Sequence, residues 1–530
     1  MPKITINSFA GEIPKIDPYY LPETHAVEVD GAKLTRGNLA PMRAPVTIQT
    51  LADNADRVFL WGSTFLGWPY DADAVPGPIA SNRLYVTRAN DTPQMIANGT
   101  TYALALPNPA DAPTATNEDT PDPDLQELVL YAFTWVTSLG EESGPSPLSN
   151  AVLWSEGNVV EVAFTGSAPA GRLITHRRLY RSVTTTLGAT ELFYVADISV
   201  SAASYSHNNS TDPTQTAITT SNAGPAPDGL RGLISMPNGM MAGFDGRELW
   251  FCAPYLPHSW PSEYVLTVND DIVGLCAFGQ AVAVLTTGTP YVAQGLSPDA
   301  MAMTRLEVDY PCVAKRGIVD MGYAAIYPST DGLVQVGQNG ANLISKPLWD
   351  RDQWLALNPA SIRAARYMGR YAMSYQPIGA PARLFAFIDV SGELPYLIPV
   401  TSDPFIDLAF HIETGRLFAL RAADARTVVS IDDGNGDVGA YRWKSRPFKL
   451  PAPIGMGVVK MEGRATPGPA PQFEAKVYRG GELIRTITTF PASFARLPGD
   501  KISDEWQIEV SGNMTITKIT LAGSPDELWQ

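Results

Sequence analysis

The sequence has 530 residues, of which 45% are hydrophobic and 17% are charged, and its net charge is −16. Such acidity argues against proteins that grip nucleic acid by neutralising phosphates over a large surface. Because there is no apolar run near the length of about 18 residues that spans a membrane, and no leader pattern, we expect neither a transmembrane segment nor secretion. The 3 cysteines form no paired spacing, so we expect reduced thiols buried in a core.

Short alternating apolar runs bounded by Gly, Pro, Asn or Asp recur along the whole chain and predict an all-β fold. Residues 1–106 read as an N-terminal arm and a first propeller blade. Residues 107–229 read as an acidic linker followed by an inserted β-sandwich of the fibronectin type III kind. The linker, 107–124, holds five prolines and five acids without a base, so we expect it to be extended and solvated.

Residues 230–440 carry an internal repeat in which an apolar strand is followed by a turn and two further strands. The repeat places Ile234, Val273, Ile318, Ile362 and Ile406 at comparable positions. Their spacing of about 40–45 residues is typical of a four-stranded propeller blade. With the blade before the linker, we predict a β-propeller of about six blades that the sandwich interrupts. Residues 441–530, which contain two hairpin signals, predict a C-terminal β-sandwich.

The stretch FCAPYLPHSWP, 251–261, places scarce Cys and His residues six apart. A catalytic pair would need hydrogen-bond contact, and a zinc site would need further ligands nearby. We expect the three prolines to keep this segment extended. Cys252, His258 and Trp260 are then interpreted as parts of a structural connector that leads from one blade to the next.

Other candidate chemistry has a simpler interpretation. Glu141 and Glu142 could be a catalytic acid pair, but neighbours on a strand face opposite sides. The run SIDDGNGDVGAY, 430–441, lacks the Gly and Glu that a calcium loop of the EF-hand type requires, so it predicts a turn. We therefore predict no catalytic residue, no metal site and no cofactor.

One basic strand stands out in this acidic chain. Arg442, Lys444 and Arg446 share a face at period two. They could contact phosphate groups or a neighbouring subunit. The simpler alternative is a charged edge strand that resists aggregation or meets an acidic neighbour.

The order of these modules resembles the tail nozzle (tail tubular protein B-like) proteins of short-tailed bacteriophages. The resemblance runs from NSFAGEIPKIDPYYLPETHAVEVDGAKLTRGNLAPMRAP through YAFTWVTSLGEESGPSPLSN and LWFCAPYLPHSWPSEY to RLPGDKISDEWQIEVSGNMTITKITLAGSPDEL. It implies a structural virion protein without catalytic residues, made in the host cytoplasm and assembled as a ring, typically a hexamer, below the portal.

The same resemblance implies adaptor (head-to-tail connector) proteins and tail fibre or spike proteins as partners. Viral DNA would pass through the lumen with weak contact, and the ring would support genome ejection. Arg442, Lys444 and Arg446 would be the candidates for contact with DNA in this channel or with a neighbouring subunit. The alternative is a propeller-type tail component that binds or degrades glycans, which would need an acid pair across a cleft.

Overall fold

The computed structural model describes residues 3–80, 82–184, 190–208, 216–338, 340–468, 470–499 and 501–529. Strands dominate this part of the chain. The helical elements are one α-helix, Arg351–Ala356, and seven 3-10 turns: Pro18–Tyr20, Pro237–Gly239, Ser262–Tyr264, Pro298–Ala300, Lys315–Gly317, Pro359–Ser361 and Pro525–Trp529. None of the described helices is long and apolar enough to cross a membrane.

Of the seven four-stranded sheets among the described residues, five pair their strands in chain order, and a sixth does so for its first three strands. We call these six sheets blades I to VI. Blades I to III comprise Ala72–Pro76, Arg83–Arg88, Gln94–Ala97 and Thr100–Ala103; then Arg231–Ser235, Met241–Asp245, Glu248–Phe251 and Leu266–Thr267; then Ile272–Phe278, Ala281–Thr286, Tyr291–Gln294 and Ala302–Arg305. Blades IV to VI comprise Val319–Asp320, Ala325–Pro328, Leu333–Gly337 and Gly340–Leu343; then Arg363–Tyr367, Arg370–Tyr375, Leu384–Asp389 and Tyr396–Val400; then Phe405–His411, Arg416–Arg421, Thr427–Ser430 and Val46–Thr50.

The predicted repeat corresponds to blades II to VI. Its five marker positions lie within the first strand of a blade or one residue before it. Because each blade has four antiparallel strands and a turn-rich sequence, the repeat length follows directly from strand and turn lengths. The predicted all-β propeller of about six blades, with an inserted and a C-terminal sandwich, is confirmed.

The fourth strand of blade VI comes from far upstream in the chain. Val46–Thr50 pairs antiparallel with Thr427–Ser430, with Val46 opposite Ser430. The sequence predicts only an arm and the first blade within residues 1–106, so it does not predict that one of their strands completes blade VI. The strand covers what would otherwise be an unpaired edge of blade VI, and exposed edges are prone to non-native pairing. The next two strands, Arg57–Trp61 and Thr64–Trp68, form a separate hairpin.

The inserted sandwich follows blade I. Its strands are Thr114–Asn117, Val159–Ala163 and Ser204–Asn208 in one sheet, Tyr131–Thr137, Ile174–Thr184 and Thr190–Ser199 in a second, and the pair Glu127–Val129 and Val152–Trp154. The core between them contains Phe133, Trp135, Val160 and Leu179. Alternate residues along Val159–Ala163 are buried, as expected for a strand with one face on a core.

The linker prediction was wrong in part. Within 107–124, Thr114–Asn117 is a sandwich strand that pairs with Val159–Ala163, and Ala115 is 2% exposed. Pairing satisfies the backbone groups that an isolated proline-rich linker would leave to water. Residues 209–215, which belong to the stretch predicted as the inserted sandwich, lie outside the described part of the chain.

The C-terminal sandwich is built from both halves of the chain. One sheet contains Ile4–Ile6, Thr515–Ala522, Val458–Arg464 and Ala495–Arg496. The other contains Ala26–Asp30, Tyr441–Ser445, Ser503–Gly512, Phe473–Arg479 and Glu482–Ile487, with Phe448–Ile454 beside Ser503–Gly512. Residues 1–106 are therefore not one module with blade I, because the arm supplies a strand to each sheet of this sandwich.

Two tryptophans anchor the C-terminal core. Trp443 and Trp506 are fully buried. The indole of Trp443 donates to the carbonyl of Ala10 at 3.0 Å and meets the ring of Phe9 edge-on, with centroids 5.0 Å apart. The arm is thus held by apolar burial and by a satisfied buried polar group.

Contacts divide the chain into two compact units. The first comprises Met1–Asp71, Ala283–Val292 and Arg305–Gln530. The second comprises Ala72–Val282 and Ala293–Thr304.

Candidate functional site

The segment that follows Cys252 is folded, and the prediction that it is extended was wrong. The backbone N–H of Ala253 donates to the carbonyl of Ser259 at 2.9 Å, which brings the two ends together. Two consecutive turns produce this geometry, closed by Leu256 N–H on Ala253 and by Ser259 N–H on Leu256. Each turn has a proline as its second residue, where the fixed φ of proline is favourable.

The loop also connects different elements from those expected. It joins the third and fourth strands of blade II, Glu248–Phe251 and Leu266–Thr267, and does not lead from one blade to the next. Cys252 and Trp260 are 0% and 1% exposed and belong to one hydrophobic cluster. Both side chains therefore pack in a core, and the loop that carries them lies within blade II and not between blades.

Cys252 has the environment of a core thiol. Its sulfur accepts a hydrogen bond from the backbone N–H of Met241 at 3.0 Å, and burial raises the pKa of the thiol to about 12. A thiol with such a pKa holds its proton at neutral pH and is a poor nucleophile. The indole of Trp260 donates to the carbonyl of Pro257 at 2.8 Å, which braces the second turn.

His258 belongs to a buried polar cluster that we call the Glu141 cluster, made of Arg83, Glu141, Arg172 and His258. The Nε2–H of His258 donates to the carbonyl of Glu142 at 3.0 Å. Its Nδ1 lies 4.0 Å from a carboxylate oxygen of Glu141. The other carboxylate oxygen accepts from Arg172 at 2.7 Å. A guanidinium nitrogen of Arg83 lies 3.6 Å from the oxygen that faces His258.

Burial decides what the Glu141 cluster can do. Glu141, Arg172 and His258 are each at most 3% exposed, and burial lowers the pKa of His258. The Tyr85 hydroxyl, whose pKa burial raises to about 12, finds no hydrogen-bond partner among the described residues. Because these groups are closed to solvent, they join the inserted sandwich to blades I and II within one unit and offer no surface to a substrate.

Glu141 and Glu142 point to different surroundings and do not form an acid pair. Glu142 accepts from the hydroxyls of Tyr180 and Thr134 at 2.6 and 2.8 Å. It also accepts from Arg178 at 2.8 Å. Their divergence follows from the alternation of side chains along an extended segment.

The basic strand is neutralised within the chain. Arg442 lies 2.8 Å from both Glu28 and Glu509. Lys444 lies 3.7 Å from Glu28.

Arg446 also has partners within the chain. It lies 3.6 Å from Glu23 and donates to the carbonyl of Leu21 at 2.8 Å. The strand Tyr441–Ser445 has a neighbour on each side, so it is not an edge strand. The structure thus gives each of the three bases an acidic neighbour within the chain.

A second buried ion cluster escaped sequence analysis. Asp407, 1% exposed, accepts from Arg57 at 2.9 Å and from the backbone N–H of Val58 at 2.9 Å. Asp56 accepts from Arg363 at 2.8 Å. These contacts attach the hairpin that starts at Arg57 to the first strands of blades V and VI. The partners are more than 300 positions apart in sequence, so local patterns carry no signal for them.

The calcium-loop candidate is a turn. A carboxylate oxygen of Asp433 accepts from the backbone N–H of Asn435 at 2.9 Å, and Asp433 lies 3.6 Å from Arg416. In the described part of the chain, no group of three or more His, Cys, Asp or Glu side chains is placed to hold a metal ion.

No protein-family model and no curated protein matches the sequence. Among solved structures, Hsv2 of Kluyvelomyces marxianus is similar at 7% identity over 50% of this chain and 69% of its own, with a TM-score of 0.22. PorZ of the Porphyromonas gingivalis type-IX secretion system is similar at 12% identity over 88% of this chain and 66% of its own, with a TM-score of 0.26. The extracellular domain of the one-component system BT4673 from B. thetaiotaomicron is similar at 10% identity over 70% and 46%, with a TM-score of 0.26. At TM-scores this low, none of these proteins indicates a function for this chain.

Proposed function

We propose that this chain is the subunit of a ring-shaped tail nozzle in a short-tailed bacteriophage. Its role would be structural and non-catalytic, continuing the DNA channel below the portal and adaptor. The observation that supports this proposal is the order of modules. A blade, an inserted sandwich, five further blades and a closing sandwich follow one another in the order in which the sequence resembles the nozzle family.

The charge of the chain is suited to a DNA conduit. Each subunit carries −16, and this charge multiplies in a ring. An acidic wall repels phosphate over distances of roughly one Debye length, about 8–10 Å at physiological salt. DNA would then slide with little friction, whereas a strongly basic wall would hold it.

The basic strand is a weaker candidate for DNA contact than its sequence suggested. Arg442, Lys444 and Arg446 form ion pairs with acids of the same chain that are at least 45% exposed. Their charges are therefore largely cancelled at short range. The proposal consequently assigns no DNA contact to that strand.

Native mass spectrometry combined with negative-stain imaging tests the ring. We expect an assembly with a mass near an integral multiple of 57.1 kDa, typically six chains, and a central hole. A preparation that stays monomeric at every concentration tested would overturn the proposal. A monomer that releases reducing ends from bacterial polysaccharide would favour the glycan-degrading alternative.

A salt-titrated binding assay with duplex DNA tests the conduit. We expect weak binding at physiological salt, because few phosphates are neutralised, and the binding that exists should fade as salt rises, because it is electrostatic. Tight or base-specific binding would contradict a passage through which DNA slides. Since this assay needs no ring, its outcome is separable from that of the mass measurement.

A further inference from the structure

One pocket in this acidic chain is lined by cationic side chains. It has a volume of about 530 Å³, and Lys33, Arg36, Arg43 and Arg464 line it together with the polar side chains of Thr35 and Asn38. No Asp or Glu is among the described residues that line it. Over the whole chain, acids outnumber Lys and Arg by 54 to 38, so four bases around one pocket oppose the general trend.

The turn between two short arm strands forms most of this basic pocket. Ala32–Lys33 pairs with Ala40–Pro41, and the residues between them present Arg36. Arg464 ends the strand Val458–Arg464 of the C-terminal sandwich. All of these elements belong to the same compact unit.

Two of the four cations are engaged in holding the pocket. Lys33 forms a close ion pair with Asp432, whose other oxygen accepts from the backbone N–H of Arg43 at 3.0 Å. The guanidinium of Arg43 donates to the carbonyl of Gly436 at 2.8 Å. A carbonyl is a neutral acceptor, so the positive charge of Arg43 is retained.

The other two cations are uncommitted. Arg36 and Arg464 are exposed, and neither side chain makes a hydrogen bond or an ion pair with the residues that the structure describes. Because Asp432 offsets Lys33 alone, about three positive charges remain around the pocket. Each guanidinium carries about five N–H donors, so both arginines can donate to a bound anion.

We propose that this basic pocket binds a phosphate-bearing anion. The planar forks of Arg36 and Arg464 match the geometry of phosphate oxygens, and Arg43 adds charge from the wall that Asp432 fixes. Thr35 and Asn38 can donate to oxygens that the arginines do not reach. The volume lies in the range of about 300–1,000 Å³ that holds ligands much larger than a single ion. A free polyphosphate and the backbone of a nucleic acid share this chemistry.

Calorimetry with tripolyphosphate, and fluorescence anisotropy with a labelled DNA duplex, test the pocket in the full-length protein at low salt. Arg36→Gln and Arg464→Gln should each weaken binding of the recognised probe about tenfold, and the double variant more. Arg36→Lys/Arg464→Lys keeps the charges but removes the forks, so binding should be intermediate. Arg485→Gln/Arg496→Gln is the matched control, because both control side chains are exposed on strands of the same sandwich.

The two probes distinguish the sources of phosphate. Binding of tripolyphosphate that the double variant loses and the control keeps supports a small polyphosphate ligand. The same pattern with the duplex alone supports a nucleic-acid backbone. If the wild type binds neither probe, or if the double variant binds as well as the control, the pocket is not a phosphate site. Neither reading depends on whether the protein forms a ring, so failure here leaves the nozzle proposal to its own test.

Discussion

The two sandwiches differ in how far along the chain their strands are drawn from. The inserted sandwich uses a continuous stretch from Thr114–Asn117 to Ser204–Asn208. The C-terminal sandwich combines strands near residues 441–522 with Ile4–Ile6 and Ala26–Asp30. The first can form from local contacts, whereas the second must close a loop of several hundred residues, which costs entropy before its contacts form.

The two sandwiches also differ in the kind of contact that each makes with neighbouring segments of the chain. The inserted sandwich meets its surroundings through the ionic Glu141 cluster, in which Arg172 and Glu141 are 2% and 3% exposed. The C-terminal sandwich holds the arm mainly through apolar contacts around Trp443. Burial of apolar area tolerates small changes of geometry, whereas a buried ion pair loses most of its value when one partner is removed.

The largest effect should come from removing the arm. Deletion of residues 3–30 removes one strand from each sheet of the C-terminal sandwich and exposes Trp443, so we expect that sandwich not to fold. Red-shifted tryptophan emission and early proteolysis within 441–530 would report this. Residues 107–229 expressed alone should fold, because their sheets need no distant strand. A C-terminal sandwich that stays folded without the arm would show that it does not need distant strands, which would contradict the proposed difference between the two sandwiches.

Removal of the Glu141 carboxylate should cause the next largest loss of stability. Glu141→Ala leaves Arg172 buried without its partner, and we expect a loss of about 3–5 kcal/mol in the free energy of unfolding. Hydrogen exchange in Tyr131–Thr137 would measure it. Glu142→Ala is the matched control: that side chain is 14% exposed and should cost about 1–3 kcal/mol. Equal costs would show that burial does not distinguish the two acids.

The inserted sandwich should lose stability as the pH falls, whereas the C-terminal sandwich should lose stability as the pH rises. Burial lowers the pKa of His207 from 6.5 to about 4, so its contribution is lost as the pH falls through that window. Burial, with Glu28 and Asp30 adding to it, raises the pKa of Glu12 from 4.5 to about 7, so its contribution is lost as the pH rises through that window. Each contribution is on the order of 3 kcal/mol.

Hydrogen exchange at two pH values measures this opposition. Protection of the strand Val159–Ala163, which pairs with the strand of His207, should be lower at acid pH. Protection of Ala26–Asp30 should be lower near neutral pH than at acid pH. Glu12→Gln should abolish the second dependence and keep the first, and a dependence that survives this substitution would exclude Glu12 as its cause.

The smallest effects should come from ion pairs at the surface. Lys476 lies 2.7 Å from Glu474, with the two side chains 31% and 39% exposed. Lys476→Ala should change the free energy of unfolding by no more than about 1 kcal/mol. A chemical-denaturation series on the wild type and on this variant measures the difference.

The sequence predicted what local patterns can encode. Five repeats were located because each begins with an apolar strand, as at Ile234 and Ile362, and because turn residues mark the ends of strands. The closing strand Val46–Thr50 has the same local pattern as any blade strand. Its partner, Thr427–Ser430, lies several hundred residues away, and alternation along one strand cannot specify which edge that strand will cover.

The candidate site was less predictable for the same reason. Arg83, Glu141, Arg172 and His258 come from four separate segments, and none is part of a motif. The proline loop was mispredicted because prolines at 254 and 257 were taken to extend the chain, whereas at the second position of a turn they favour reversal. Arg442 and Arg446 pair with acids of the arm, and local sequence patterns could not predict this because they do not show where the arm packs.

The pairing of Ile4 with Leu521 has a consequence for biosynthesis. Ribosomes add about 5–20 residues per second, so the segment that contains Ile4 waits roughly half a minute to nearly two minutes before its partner strand is made. During this interval the arm strands and Val46–Thr50 have unsatisfied edges while blades and the inserted sandwich are already emerging. We expect nascent chains stalled before residue 427 to recruit chaperones, and completed chains to release them once both distant partners are present.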